Sequence, residues 1–535
     1  MNLCAQSAIS APEPERGPPG RFEFAESRRE RSRRTLRASK AGGTPVLRFM
    51  EKAIARLNTI LPTGSLMLAL WMHLAAFASA QDFDLVLIGG RVLDPETKLD
   101  AVRHLGIRDG VIRAVSETPL TGRTTVDASG LVIAPGFIDL HQHGQKLEDY
   151  ALKAQDGVTA VFELEVGTAD VDAWYAARAG KALIHHGVSV GHIPCRMMVM
   201  GERPTFLPGA NSVTATNTAT EAQIAELRGH IERGLARGAV AVGFGIQYTP
   251  GAAQWEILEM FRAAAKFRAP CHLHIRAKGE AGPQNVFSAV EELIAATAVT
   301  GAPAHVCHVQ STANQSTARV LELLSAARAR GLDLSVECYP YTAGMTDIRS
   351  AIFDPGWQRR AGIDYGDLQW AATGERLTAE SFAKFRQTGG MVIVHSNPES
   401  VVRHAVTHPL TMIASDGLPG HPRHAGTSAR VLGRYVREAG ALTLMQAVEK
   451  LSLLPARRLE ERVPGMKNKG RVRIGADADL VVFDATKVLD QATYEQPNQP
   501  SVGIQHVLVG GVFVVRGGAL QPGVTPGQAV RAPIQ

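Results

Sequence analysis

Cysteine is scarce in this chain. There are five in 535 residues, and none are in Cys-x-x-Cys spacing. Cys195, Cys271, Cys307 and Cys338 lie inside apolar, strand-like runs, so buried free thiols are expected rather than a disulfide framework. A long uninterrupted apolar run is also missing. The stretch at 66–77 is short for a membrane-spanning helix, and Pro62, Gly64 and His73 interrupt its region. Excess charge is small outside the N-terminus. The net charge is +6, but residues 1–49 alone hold ten Lys/Arg against five Asp/Glu. The remainder is nearly neutral, which argues against a basic face for nucleic acid. An apolar share of 45% with 20% charged residues is ordinary for a soluble globular protein, and the length is enough for two domains.

The first 80 residues stand apart. Residues 1–49 are rich in Arg, Pro, Ser and Gly without apolar period, and are expected to be disordered. Met50, Lys52 and Arg56 then precede the short apolar stretch and Ala78-Ser79-Ala80. Basic start, apolar centre and small residues at the end make a signal peptide. The expectation is synthesis from Met50, cleavage after Ala80 and a periplasmic or secreted protein with no stable membrane association, the alternative being cytoplasmic. N-terminal sequencing of the native protein checks this; an intact Met1 start refutes it.

Two textures follow. Residues 83–89, 92–93, 104–107, 111–115 and 124–126 read as short strands between turns, with Gly89-Gly90 as one turn. Residues 480–483, 504–509 and 512–514 have the same texture, with Gly510-Gly511 as a hairpin turn. One small β domain (81–134 and 464–535) built from both ends is expected. Between them, over 135–463, apolar strand-like runs alternate with helical stretches. The candidate strands are 133–141, 158–165, 188–193, 240–246, 271–275, 304–309, 334–339, 391–394 and 411–414, one more than eight. Such alternation means parallel βαβ units and predicts a TIM-type (β/α)₈ barrel, whose chemistry gathers at the C-terminal strand ends.

Polar residues sit at those ends. Pro135-Gly136-Phe137-Ile138-Asp139-Leu140-His141-Gln142-His143 closes an apolar strand with His-x-His, and residues two apart face one side, toward one metal. His274 and His308 end two further strands. Each alone reads as a core histidine, but in this series both read as ligands; neighbouring His272 and His305 are expected not to be. Glu163 and Glu165 share one strand face in an apolar run, and a buried carboxylate needs a partner. Glu165, nearer the end, is favoured as a ligand; Glu163 is its alternative or orients a ligand histidine. Asp416, followed by Gly417, closes the last strand-like run. It is either a turn aspartate or the general base that takes a proton from the attacking water and returns it to the leaving amine. Arg423 is a candidate clamp for a substrate carboxylate, and Tyr339 a candidate for substrate or oxyanion; a solvated arginine and a core-edge tyrosine are the plain alternatives.

Together these residues resemble the amidohydrolase superfamily, and within it the D-aminoacylase and N-acyl-D-glutamate deacylase group. The likeness spans about 82–530, carried by 135–143, 157–167, 190–196, 272–276, 305–310, 337–344, 415–427 and 475–484. The resemblance implies zinc, one or two ions, through His141, His143, His274 and His308, with Asp416 as acid/base and Arg423 and Tyr339 on the substrate carboxylate. It also implies hydrolysis of small N-acyl-D-amino acids, and a β-sandwich for the terminal segments. There are departures. Relatives often have a cysteine where Glu163-Leu164-Glu165 stands, so a harder ligand replaces a thiolate. They often have a lysine where Gln310 stands; Gln310 keeps a hydrogen bond toward substrate but loses a charge. The Asp416–His421 spacer is short, so a lid there is missing. Two other readings compete. One is a cyclic-amide or dipeptide hydrolase, disfavoured because no lysine ends 158–165 or 240–246. The other is a non-catalytic barrel, disfavoured because every ligand position is filled.

Overall fold

The computed structural model describes residues 83–280, 282 and 284–535. The expected leader and signal peptide lie outside the described residues.

Strands β1 (Phe83–Asp94), β2 (Leu99–Arg108), β3 (Val111–Ser116), β4 (Gly122–Asp127) and β5 (Val132–Pro135) come from the N-terminal side of the barrel. They join β17 (Leu480–Phe483), β18 (Ile504–Val509), β19 (Val512–Arg516) and β20 (Ala519–Leu520) in one nine-stranded sheet. The two chain ends meet where β5 pairs antiparallel with β17, Val132 opposite Phe483. Leu85, Leu105 and Ile133 from one side pack with Leu480, Val482 and Leu508 from the other. Gly510 and Gly511 both take positive φ at the β18–β19 turn, as a tight two-residue hairpin requires. Gly89-Gly90 behaves differently from the expected turn. β1 runs straight through it, and the register slips between Leu87 and Gly90 as a bulge.

The barrel strands are β6 (Phe137–Asp139), β7 (Val158–Thr168), β8 (His185–Gly191), β9 (Val242–Gly245), β10 (Cys271–His274), β11 (Ala304–Val306), β12 (Leu334–Cys338) and β16 (Thr411–Ile413). They pair in that order, in parallel, with helices between them: a TIM barrel. Closure between β6 and β16 is made by a bridge of Gln142 to Gly417 and by Ser415 N–H donating to Asp139. A buried polar knot reinforces this seam. Lys153 Nζ donates to Asp139 Oδ2 (2.9 Å) and to Ser415 Oγ (2.8 Å).

Two strand expectations are corrected. Residues 133–141 are not one strand. Gly136 divides them, giving Val132–Pro135 to the nine-stranded sheet and Phe137–Asp139 to the barrel. A Cβ on Gly136 would meet Thr159 at 2.3 Å, so the crossing requires glycine. Residues 391–394 are the surplus strand. They form β15 (Met391–Val394) between β13 (Gly344–Asp347) and β14 (Leu368–Trp370), an antiparallel sheet inserted between β12 and β16. This insertion has its own core of Ile348, Phe353, Trp357, Leu368, Trp370 and Val392.

The last residues leave the nine-stranded sheet. His186 N–H donates to Gln528 O, Val530 N–H to His186 O, and Ala532 N–H to Gly238 O. The tail therefore runs against the N-terminal ends of β8 and β9, opposite the strand ends that carry the histidines. Cys195, Cys271, Cys307 and Cys338 are buried and free. Among the described residues no helix is long and apolar enough to cross a membrane.

Candidate metal centre and active site

The strand ends converge. His141 and His143 follow β6, Glu165 is on β7, His274 ends β10, His308 follows β11 and Asp416 follows β16. His141 Nε2 lies 3.0 Å from His143 Nε2 and 2.9 Å from Glu165 Oε2. His308 Nε2 lies 3.0 Å from the same Glu165 oxygen, and His274 Nδ1 is 3.4 Å from Oε1. Asp416 Oδ1 is 3.3 Å from His143 Nε2 and 3.5 Å from His141 Nε2. Three groups of possible ligands overlap here: His141 with His308 and Asp416, Glu165 with His274 and His308, and His141 with Glu165 and Cys307. In each the donor atoms lie within 4.8 Å of one another. All of these side chains are buried.

The two glutamates of β7 divide their work. Glu165 sits among the three imidazoles. Glu163 stands behind, its Oε2 2.7 Å from His143 Nδ1 and its Oε1 accepting from Val166 N–H. That contact fixes His143 so that Nε2 faces the centre.

Glu337 on β12 does the same for His141, at 2.5 Å from Nδ1, and also meets His305 Nε2 at 2.9 Å. Glu337 was missed from the sequence, although a lone carboxylate in Leu334-Ser335-Val336-Glu337-Cys338 is the signal that marked Glu163 and Glu165. His305 is thus a support that also meets Ser335 Oγ, and His272 packs on its ring at 4.4 Å; neither falls in the ligand groups, nor does His143, which joins the cluster through His141 and Asp416. Cys307, also missed, enters one group through its place beside His308.

Electrostatics favour a cation. Four buried carboxylates, Glu163, Glu165, Glu337 and Asp416, face one buried guanidinium, Arg423. Burial would raise the Asp416 carboxyl, but Arg423 and His141 hold it well below the usual range. Burial alone would lower His143, yet Glu163 and Asp416 push it up to about 9. The carboxylates thus draw positive charge onto imidazoles, a role a divalent ion would fill. His274 Nδ1 and His308 Nδ1 are buried without hydrogen-bond partners, and the nitrogen and oxygen donor set suits zinc. His308 (φ 31°) and Asp416 (φ 50°) also hold left-handed backbone, a strain that clusters at functional sites.

A cavity opens onto the cluster, with Tyr248, Ser311, Tyr339 and Leu418 in its wall. The inserted sheet covers it through Met345, Thr346 and Val394, and the short Asp416–His421 spacer adds Leu418. Arg423 Nη1 lies 2.9 Å from Asp416 Oδ2 and its guanidinium stacks 4.5 Å over Tyr339. No guanidinium nitrogen makes a hydrogen bond of good geometry, although Arg423 is fully buried. Gln310 is buried, and its Nε2 donates to Tyr339 O, which braces the Tyr339 backbone.

Comparisons with known proteins agree with this geometry. The profile of the amidohydrolase family matches residues 202–515. An N-acyl-D-glutamate deacylase of Alcaligenes xylosoxydans xylosoxydans is 32% identical, over 84% of this chain and 97% of that protein. A D-aminoacylase of the same organism is 30% identical, over 82% of this chain and 95% of its own length. The crystal structure of an N-acyl-D-glutamate deacylase from Bordetella bronchiseptica, complexed with zinc and a phosphonate mimic of the tetrahedral intermediate, superposes with a TM-score of 0.71. It shares 30% identity, over 84% of this chain and all of that one.

Proposed function

The chain belongs to the amidohydrolase family, and on that footing we propose that it cleaves N-acyl-D-amino acids into a carboxylate and a free D-amino acid. It is a hydrolase of carbon–nitrogen bonds other than peptide bonds. One observation carries the reading: a fully buried arginine pairs through Nη1 with the aspartate of a His/Glu/Asp cluster and leaves Nε and Nη2 without partners. Such a guanidinium calls for an anion, and an N-acyl-amino acid presents its α-carboxylate next to the scissile amide.

His141, His143, Glu165, His274, His308 and Asp416 would hold one or two zinc ions. Bound zinc supplies Lewis acidity, bringing the pKa of water toward ~7 and polarising the substrate carbonyl. The remaining steps belong to the chain. Asp416 is ionised at neutral pH and accepts a proton as water attacks the carbonyl carbon. The carbon–nitrogen bond breaks, and Asp416 gives that proton to the leaving nitrogen. Arg423 shares its charge between Asp416 and the substrate carboxylate, which raises the proton affinity of Asp416 when substrate is present. Tyr339 backs the guanidinium with its ring face. A cyclic-amide reading would need a strand-end lysine to carry a bridging carbamate, but β9 ends at Gly245 and β7 carries Glu165 in the cluster.

The test is a substrate panel on zinc-loaded protein: N-acetyl-D-glutamate, N-acetyl-D-leucine, their L forms, a hydantoin and an isoaspartyl dipeptide. D-specific deacylation is expected, and Asp416→Asn should lower kcat by about 10²- to 10⁴-fold. Turnover of the hydantoin or dipeptide alone, or full activity of Asp416→Asn, overturns the reading.

A further inference from the structure

The cavity over the cluster has one Lys or Arg in its wall, Lys278. It stands four residues beyond His274, in the loop that leaves β10. The rest of that wall, outside the cluster, is neutral: Tyr248, Ser311, Thr312, Met345 and Leu418 among others. Lys278 Nζ donates to Ser396 Oγ at 3.1 Å, and among the described residues it forms no ion pair. The nearest acid in its own loop, Glu280, is engaged by Ser316 and Arg319 instead. Lys278 also borders the outer groove that shares Ser396 with the cavity, and the Asp367 and Glu399 carboxylates there make no ion pair with it. A half-buried ammonium without counter-charge is costly to keep. Burial pushes it down to about 8. Arg423 is occupied with Asp416 and, on the reading above, with the α-carboxylate. Gln310 carries no charge, and its Nε2 is engaged by Tyr339 O.

We propose that Lys278 receives a second carboxylate of the substrate, so that the cavity selects N-acyl-D-amino acids bearing one acid group beyond the α-carboxylate. This rests on the N-acyl-D-amino acid reading. The second carboxylate has two possible sources, the amino-acid side chain or the acyl group, and Lys278 meets either with the same charge-assisted hydrogen bond.

The experiment compares kcat/KM for two matched pairs on zinc-loaded protein. N-acetyl-D-glutamate is set against N-acetyl-D-glutamine, and N-succinyl-D-leucine against its terminal amide. Each pair differs by one charge at nearly constant shape. The parent should prefer the charged member of one pair by about 10- to 100-fold. Lys278→Gln should bring that ratio close to one by raising KM for the charged member, and Lys278→Arg should preserve it. Whichever pair responds identifies the source. Because each ratio is read on one protein sample, loss of folded protein in a variant does not imitate the effect. A parent without charge preference in either pair, or a preference that survives Lys278→Gln, overturns the assignment. A parent that hydrolyses none of the four substrates overturns the deacylase reading itself, and the assignment with it.

Discussion

Glu337 uses both of its carboxylate oxygens, Oε1 at 2.5 Å from His141 Nδ1 and Oε2 at 2.9 Å from His305 Nε2, in a site 1% exposed. Replacing it by alanine leaves two buried ring nitrogens without partners. Each orphan costs about 1–3 kcal/mol, so Glu337→Ala should destabilise the zinc-free protein by roughly 2–6 kcal/mol before any cavity is counted. Glutamine is milder. Its carbonyl can accept from the His141 Nδ1–H, and its amide can donate to His305 Nε2. What it loses is the charge that makes His141 a strong donor toward a metal. Loss of such a supporting carboxylate typically lowers metal affinity by about 10- to 100-fold, or about 1.4–2.7 kcal/mol. Zinc affinity is measured by competition with a chromophoric chelator, and folding by urea denaturation of the zinc-free proteins. The expected pattern is a weakened Glu337→Gln that folds nearly as the parent does, and a Glu337→Ala weakened in both respects. If Glu337→Ala binds zinc as tightly as the parent, His141 is not oriented by Glu337 and the account of the centre fails.

Two further outcomes are expected. Arg423→Lys removes the planar fork, and the loss of one charge-assisted hydrogen bond should lower kcat/KM by about 10- to 100-fold, most of it in KM; steady-state kinetics at saturating zinc decide, and an unchanged KM would take Arg423 off the substrate. Asp479, which joins barrel to sheet, accepts from His185 Nε2 (3.0 Å), Lys469 Nζ (2.6 Å) and Gly510 N–H (2.7 Å). Burial opposes its charge, but His185 and Lys469 hold its carboxyl far below the usual range. With the folded pKa depressed, its contribution is complete above the unfolded value near ~3.9 and is lost as pH falls toward the folded value. Asp479→Asn should therefore cost about 3–5 kcal/mol at pH 7, a gap that narrows below roughly pH 4. Urea denaturation at both pH values would contradict this by showing a constant gap.

The sequence by itself determined the alternation of strands and helices, the two-ended β domain, and the residues waiting at the strand ends. These are local signals: an apolar run of strand length, a polar residue that closes it, and Gly510-Gly511 where both φ angles must be positive. His-x-His was legible because a spacing of two places both rings on one side of any strand, whatever it pairs with. Tertiary structure decided everything that depends on partners far away in the chain. It moved residues 132–135 into the terminal sheet and residues 391–394 out of the barrel, since a short apolar run does not specify its neighbour. It gave Glu165 the centre and Glu163 the support, since two carboxylates on one strand face are equivalent until the rings of His143 and His308 arrive. It drew in Glu337, turned Gln310 inward and left Lys278 on the cavity wall, because the partners of a side chain are set by packing across the barrel and not by its place along the chain.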